Sequence, residues 1–227
     1  MTKRFGFTLA EVLITLAIIG VVAALTMPSL INNTQGAQFK TAFKKAMSIM
    51  SQAVVMNIAL DDYDLSGTNE NTEAEEGDSV SLYALFTNRM SLTDMSGYDE
   101  VDEDNYSPYL TGDDASTLSS STSNVTGNYV FYTNDGMLIT FSKDAYACTE
   151  DNYVENKCLG FIDVNGTKGP NKIATCTEDE DGVCTSSVTI NDIYPFKMYD
   201  QTIAPASGAG RAILFGRENI ELTTSDD

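Results

Sequence analysis

The 227-residue sequence contains no histidine and no tryptophan, and it has few basic side chains. Without histidine there can be no Ser-His or Cys-His pair and no imidazole metal ligand. Only 13 lysine and arginine residues face 33 aspartate and glutamate residues, and the net charge is −20. So acidic a chain is poorly suited to nucleic-acid phosphates or to an anionic membrane surface as its main partner.

Other catalytic arrangements are also missing from the sequence. There is no Gly-rich phosphate loop. Acidic pairs such as Glu75 and Glu76 lie in polar stretches with too little apolar content to hold two carboxylates in place or to shift their pKa values. The sequence therefore predicts a protein that is not an enzyme.

Charge is nearly absent from residues 6–28 as well. After Lys3 and Arg4, the only charged residue before Lys40 is Glu11. The run is long enough to cross a bilayer as a helix, because about 20 apolar residues suffice at a rise of 1.5 Å each. An acid near mid-membrane costs roughly 2.5 to 3.5 kcal/mol, and less toward the edge where Glu11 lies. The carboxylate therefore calls for a functional explanation.

Two general interpretations leave Glu11 unexplained. A secretory signal peptide accounts for the basic start, the apolar centre and the small residues at positions 22–24, where cleavage would occur. A plain membrane anchor accounts for the apolar run alone. The signal peptide also fails to explain why helical apolar periodicity continues for some thirty residues past residue 24.

A third interpretation accounts for all of these residues. The basic leader, the junction of Gly6 with Phe7, the spaced Glu11, the apolar helix and Pro28 together resemble the N-terminal motif of type IV pilins and of type II secretion pseudopilins. The resemblance covers about the first thirty residues. It implies that a prepilin peptidase removes residues 1–6 as a leader and that Phe7 becomes the N-methylated first residue.

The physical chemistry of Glu11 agrees with this resemblance. Cleavage before Phe7 exposes an α-amino group in an apolar environment, where a lone cation and a lone carboxylate are each costly and a pair is less so. The amine can come from the same chain, since Phe7 and Glu11 are four residues apart, or from a neighbouring chain. The resemblance implies the second arrangement, in which Glu11 recruits the next subunit and sets its axial step.

The apolar pattern becomes one-sided after residue 28. Apolar residues then recur at the three- and four-residue steps of an amphipathic helix: Phe39, Phe43, Met47, Met50, Val54 and Ile58. One long helix is predicted over residues 7–60, with 7–28 as its transmembrane and assembly part. Gly20 and Pro28 interrupt the helical pattern and predict a kink or a loosened segment. The resemblance implies that this segment loses helicity on assembly.

Residues 61–128 have a different composition. Sixteen acids and a single base, Arg89, lie between Asp61 and Asp114, among Gly, Ser, Thr and Asn. We expect an acidic variable loop region with a solvent-exposed surface. A short apolar patch over residues 80–90 predicts one helix docked on the rest of the domain.

Residues 129–227 are predicted to form a sheet domain. Residues 129–133 and 137–142 flank Asn134-Asp135-Gly136 and predict a hairpin. Further strands are expected at residues 159–164, 185–190 and 193–198, the last despite Pro195. The Gly-rich tail from residue 204 is expected to cover a sheet edge. A long helix packed on a small antiparallel sheet makes the predicted fold class α+β, which is also the pilin layout that the resemblance implies.

Four cysteines lie in this second half: Cys148, Cys158, Cys176 and Cys184. An even number beyond a membrane helix indicates disulfides in an oxidising compartment. Three pairings are open, and we favour the local ones, Cys148 with Cys158 and Cys176 with Cys184, because each closes an acidic loop. A zinc site is the weaker alternative, since the chain has no C-x-x-C spacing and no histidine.

A calcium site is a weaker hypothesis. Asp163, Asn165 and Thr167 offer oxygens at every second residue, with Gly166 at the turn, but the terminal bidentate glutamate of a calcium loop is missing. An Asx-rich turn explains the same residues without a metal and is favoured. Some pseudopilins bind calcium in a late loop, and that resemblance implies Asp163, Asn165 and Asp192 as candidate oxygen donors.

The predicted function is structural. The resemblance implies a filament subunit of a type IV pilus or a type II secretion pseudopilus. Its partners would be related pilin subunits, the prepilin peptidase and N-methyltransferase, and an inner-membrane assembly platform. The precursor would cross the inner membrane once with its C-terminal domain outside the cytoplasm. The competing hypothesis is a membrane-anchored extracytoplasmic module that binds calcium or another ligand and does not polymerise.

Overall fold

The computed structural model describes residues 6, 8–70, 80–94, 128–166, 168–169, 171–216 and 222–224. Side chains are described at these positions except at 27–33, 94, 128 and 222–224. The predicted cleavage residue Phe7, the candidate ligand Thr167 and most of the acidic region between residues 61 and 128 lie outside the described residues.

One helix, α1, dominates the N-terminal part. It spans Leu9–Asp61, 53 residues, and is therefore about 80 Å long at 1.5 Å per residue. Thr8 caps its start, and the helix ends at Asp62, whose φ of 62° places it in the left-handed region. The backbone stays helical through Gly20 and Pro28. The loosening expected between these two residues remains a prediction for the assembled state.

The α+β fold class is confirmed by a six-stranded antiparallel sheet, in which the strand order is β1-β2-β3-β4-β6-β7. Two further short strands, β5 and β8, pair in parallel beside it. The strands are β1 Leu92–Asp94, β2 Asn128–Thr133, β3 Leu138–Ser142, β4 Leu159–Asp163, β5 Val188–Ile190, β6 Ile193–Tyr199, β7 Thr202–Pro205 and β8 Leu222–Thr224. The other helices in the described part of the chain are a 3-10 turn Leu65–Gly67, α2 Leu82–Arg89 and α3 Gly208–Phe215.

The predicted hairpin is confirmed in β2 and β3. Tyr132 pairs with Leu138 across the turn, and Gly136 within the turn has a φ of 81°, which glycine adopts at little cost. The predicted strand through Pro195 is also confirmed as β6. Its neighbours are β4 on one side and β7 on the other.

Two predictions about the later chain were wrong in part. The strand expected at residues 185–190 is only β5, because Thr185 donates to the Thr177 carbonyl across the adjacent loop (2.8 Å) instead of extending the strand. It lies outside the six-stranded sheet, since its strand partner is β8. The tail was expected merely to cover a sheet edge. Instead β7 is itself the edge strand, and the Gly-rich residues that follow start α3.

The core lies between the second half of α1 and one face of the sheet. Phe43 on α1 is fully buried and stacks on Tyr194 of β6 with the ring centroids 4.2 Å apart. Burial raises the pKa of the Tyr194 phenol above its usual range, and the nearby Asp192 carboxylate adds to the effect. The other fully or nearly buried apolar side chains of α1 follow the predicted stripe: Ala46, Met47, Met50, Ala53 and Val54.

Both disulfides join cysteines close in sequence. Cys148 bonds to Cys158 and Cys176 to Cys184, with sequence separations of 10 and 8 residues. These are the local pairs favoured above, and no cysteine remains free in the described part of the chain. Closing loops of this size stabilises the fold by about 2.5 to 3 kcal/mol each in the chain-entropy account. The disulfides also remove the zinc alternative.

We expect Phe43→Ala to destabilise the folded domain by about 3 to 5 kcal/mol, because it removes a fully buried ring and leaves a cavity against Tyr194. Val55→Ala is the matched control on the same helix, since Val55 is 61% exposed and should cost under about 0.5 kcal/mol. Urea denaturation of the detergent-solubilised chain, followed by tyrosine near-UV circular dichroism, measures both. Equal midpoints for the two variants would contradict the placement of the core.

Candidate functional site

The first half of α1 is an apolar surface that the rest of the chain leaves uncovered. The 18 residues Leu9–Thr26 have a mean hydropathy of 2.4, and none of them is buried. Leu9 is 79% exposed and Leu25 76%. By length and composition this helix can cross a membrane. Its apolar side chains therefore need a partner outside the chain, either lipid or protein.

Glu11 lies at the start of this uncovered helix as part of a capping box. Its Oε2 accepts hydrogen bonds from the Thr8 backbone N–H and from the Thr8 hydroxyl, both at 2.8 Å. The Thr8 Oγ1 in turn accepts from the Glu11 backbone N–H at 3.3 Å. This reciprocal arrangement satisfies backbone donors that the first turn of a helix leaves unpaired. The Glu11 carboxylate also lies near the positive end of the helix dipole, which stabilises its negative charge.

Thr8 is a site residue that the sequence analysis missed. The signal was present, because a threonine followed three residues later by a glutamate and then by an apolar run is the sequence signature of a capping box. The structure makes Thr8 the residue that orients the carboxylate.

The predicted cleavage and kink residues Gly6 and Gly20 make no close packing contact with the described part of the chain that would explain their identity. Gly6 is exposed, and a side chain at that position would meet no atom within 4 Å. Gly20 lies inside α1, where a Cβ would also meet nothing within 4 Å. The packing of the single chain therefore does not require glycine at position 20. The backbone at Pro28 is helical.

The lysines that follow the apolar half of α1 have unlike surroundings. Burial lowers the pKa of the Lys40 ammonium, and the neighbouring Lys44 lowers it further. Lys45 forms an ion pair with Asp135 of the hairpin turn, 2.5 Å away. Lys45 therefore ties α1 to the sheet within one chain, although the two groups are each about half exposed and such a pair adds little stability.

A second cluster of polar side chains surrounds the candidate calcium residues. Asp163 at the end of β4 and Asp192 before β6 are both fully buried. The Asp192 carboxylate accepts from the backbone N–H groups of Asn171 (2.8 Å) and Lys172 (2.7 Å), and Asp163 accepts from the N–H of Asn165 (3.2 Å). The Asp163 contact is that of the Asx-rich turn favoured above, whereas Asp192 binds the backbone of a segment about twenty residues earlier in the chain.

The same cluster contains side-chain oxygens that lack a partner. The Oδ1 atoms of Asn165 and Asn171 are buried without a hydrogen bond, which is costly for an acceptor. Oxygen donors of this kind suit a hard cation such as Ca²⁺. Among the described residues, no three His, Cys, Asp or Glu side chains gather as a potential metal site. A cation there would depend on amide oxygens beside the two carboxylates.

Comparison with known proteins identifies the N-terminal segment. Residues 1–27 match the family model of the prokaryotic N-terminal methylation motif. This is the prepilin-cleavage motif of type IV pilins and pseudopilins, so the segment is of the prepilin type. No match was found among curated proteins or among solved structures. The motif, the apolar helix and the α+β domain together form a pilin-like arrangement that fits a membrane-anchored precursor.

We expect Thr8→Val to loosen the start of α1, because it removes the hydroxyl that bonds to Glu11 in both directions. Hydrogen exchange in detergent micelles should become several-fold faster at the first-turn amides. Thr15→Val is the matched control, since the Thr15 hydroxyl bonds only to the Val12 carbonyl (3.0 Å). Equal exchange in the two variants would show that the capping box does not hold the helix start.

Proposed function

We propose that this chain is a structural subunit of a type IV pilus or a type II secretion pseudopilus. In this proposal the precursor is cut after Gly6 and methylated at Phe7, and the mature chain is then assembled through α1. The observation that carries the proposal is the uncovered apolar half of α1. It matches a prepilin-type motif and contains a single carboxylate, that of Glu11.

The energetics of the helix favour assembly once it leaves the membrane. Burying a large apolar side chain contributes roughly 1.5 to 3 kcal/mol relative to leaving it in water. Leu9–Thr26 contains many such side chains and none of them is buried within the chain. Equivalent helices of neighbouring copies offer the apolar surroundings that lipid offers to the precursor. One segment thereby acts first as a membrane anchor and then as the centre of a filament.

Glu11 supplies the specificity that apolar packing lacks. Both Thr8 contacts use Oε2, so Oε1 accepts no hydrogen bond from the residues that the structure describes. The methylated amine of an incoming Phe7 can bind Oε1 while the capping box stays intact. A lone charge in an apolar filament centre is costly, and pairing the cation with the carboxylate offsets much of that cost. Their pairing then fixes the axial position of each new subunit.

The disulfides and the acidic surface fit the location that this function requires. Disulfides persist in oxidising compartments outside the cytoplasm. We place the sheet domain outside the cytoplasmic membrane in the precursor, and in the periplasm or at the cell surface after assembly. Removal of residues 1–6 takes away Lys3 and Arg4 and leaves the side chains of the mature subunit at −22, a charge that keeps exposed domains soluble.

Replacement of Glu11 separates its two roles. Glu11→Gln keeps an oxygen for Thr8 and so preserves the capping box, whereas Glu11→Ala removes both the cap and the charge. We expect both variants to be cut and methylated normally and to yield at least tenfold fewer filaments, because the negative charge is what binds the incoming amine. N-terminal mass spectrometry reports processing, and electron microscopy of sheared or overexpressed filaments reports assembly.

Two outcomes of this experiment would contradict the proposal. Normal filaments from Glu11→Gln would show that the negative charge is not needed for assembly, and a loss confined to Glu11→Ala would assign the effect to the cap. A wild-type chain that retains Met1, or that is cut after Ala24, would reject processing as a prepilin. Thr15→Val is again the control, since it changes a neighbouring threonine of the same helix without touching Glu11.

As a second property we propose that the cluster of Asp163, Asn165, Asn171 and Asp192 binds Ca²⁺. The supporting observation is the pair of buried amide oxygens without partners beside two buried carboxylates. When bound, a divalent cation would neutralise the carboxylates and accept the lone pairs of the amide oxygens. It would thereby join the end of β4 to the start of β6. No catalytic step is involved.

Calcium titration with thermal melting tests this property. At ten times the dissociation constant a single site adds about 1.4 kcal/mol, which should raise the melting temperature by roughly 3 to 6 °C. Asp163→Asn should abolish the shift. Asp179→Asn is the matched control, because its carboxylate accepts two backbone N–H groups in an exposed loop without orphan oxygens nearby. No stabilisation at millimolar Ca²⁺, or an equal shift in Asp163→Asn, would reject the site.

A further inference from the structure

A cleft of about 700 Å³ lies beside β6, on the sheet face opposite to α1. Phe196 and Met198 of β6 are buried in the core that contains α1, so the alternate residues Pro195 and Lys197 face the cleft. The segment of residues 173–176 forms another wall. Concave sites of this size are where proteins bind ligands, and none of the candidate calcium residues lines this one.

Pro195 ends a ladder of backbone hydrogen bonds between this wall and β6. Ile193 of β6 donates to the Lys172 carbonyl and accepts from the Ala174 N–H, both at 3.0 Å, as in a parallel pair of strands. The next bond of such a ladder would run from the N–H of residue 195 to the Ala174 carbonyl. Proline has no N–H, so this bond cannot form.

Peptide groups of the wall are left without partners as a result. The Pro195 carbonyl, which would be the acceptor for Cys176, is already engaged by the Ala206 N–H (3.0 Å). In the described part of the chain, the Ala174 carbonyl and the N–H and carbonyl of Cys176 make no hydrogen bond. Thr175 between them is turned the other way and exchanges two bonds with β5 (3.2 and 2.9 Å). The wall is therefore an unpaired strand edge.

Two cations line the same cleft. The Lys197 ammonium lies 4.8 Å from the centre of the Tyr153 ring and 5.4 Å from that of Tyr199. The Arg211 guanidinium of α3 donates through Nη2 to the Gly182 carbonyl, while its buried Nε–H has no partner. Among the described residues, the ion pairs use other basic side chains. Both cations are therefore available to an anionic ligand.

One acidic side chain also lines the cleft, and it is already engaged. The Glu178 Oε1 accepts the Gly208 N–H at the start of α3 (2.6 Å). Apolar side chains such as Leu159 and the half-exposed Val154 supply further walls. The cleft thus combines an unpaired strand edge, two cations and apolar surface.

We propose that this cleft binds an extended acidic peptide of another protein, which adds as a strand to the edge at Ala174 and Cys176. An extended peptide offers N–H and C=O groups at the spacing of a strand edge. Its acidic side chains complement Lys197 and Arg211, and apolar side chains between them complement the walls. A fatty acid or an inorganic anion would pair with the cations and leave the strand edge unpaired.

Fluorescence anisotropy tests the charge complementarity. The probe is a fluorescein-labelled, amidated peptide of seven alternating aspartate and leucine residues, and the protein is the full chain in phosphatidylcholine nanodiscs. We expect saturable binding that is at least fivefold weaker in Lys197→Met and weaker still in Lys197→Met/Arg211→Gln. Lys44→Met is the matched control, since Lys44 is exposed on α1 and does not line the cleft. A peptide with asparagine in place of aspartate should bind at least tenfold more weakly.

N-methylated peptides test the strand pairing without altering the protein. Methylation of alternate amides blocks hydrogen bonding along only one edge of an extended peptide. Of two probes methylated along opposite edges, one should bind like the parent peptide and the other at least tenfold more weakly, because a single edge pairs with Ala174 and Cys176.

Pro195→Ala tests the origin of the unpaired edge. The variant regains an N–H at residue 195, which should bond to the Ala174 carbonyl and lower the affinity for the peptide at least threefold. Hydrogen exchange reports protection of the new amide, and melting curves confirm that the variants are folded.

Four results would overturn the proposal: no binding of the parent peptide at millimolar concentration, an equal loss in Lys44→Met and Lys197→Met, equal affinity of the two methylated probes, or unchanged affinity in Pro195→Ala with the new amide protected. None of them bears on the proposed filament function, which depends on α1.

Discussion

The structure depends on the contrast between the two halves of α1. Phe43, Met50 and their neighbours are buried against the sheet, whereas the described part of the chain buries none of the residues Leu9–Thr26. A helix of about 80 Å cannot be covered by a domain of this size. The uncovered half therefore requires an apolar environment from outside, which a membrane offers to the precursor and which neighbouring copies would offer in the filament that we propose.

Sequence periodicity and local chemistry predicted the parts of the fold that depend on neighbours in sequence. The α1 stripe from Phe43 to Val54, the hairpin turn at Gly136 and the two local disulfides are of this kind. Each of these features involves residues within about ten positions of one another. Helical period, turn geometry and the short loop between two cysteines are therefore enough to predict it.

The parts that depend on distant contacts were not predictable in the same way. β5 pairs with β8, which lies more than thirty residues later, and three-residue strands carry no clear alternation. The start of α3 was hidden because glycines usually indicate loops. Here Gly208 is required by close packing, since a Cβ would lie 2.6 Å from the Gly182 carbonyl oxygen. Thr8 is a different case, because the threonine and the glutamate three residues later carry a local capping-box signal in the sequence.

The geometry of the capping box is compatible with the pairing that we propose between Glu11 and the amine of a neighbouring copy. If Thr8 engaged both carboxylate oxygens of Glu11, an incoming amine would have to displace the cap and leave the first-turn N–H groups unpaired in an apolar surrounding, which is costly. Because both contacts use Oε2, the cap and the amine do not compete for the same oxygen. The helix start can stay ordered while the charge pair forms. The threonine thus holds the carboxylate in a single orientation, which would lower the entropic cost of the pairing that we propose.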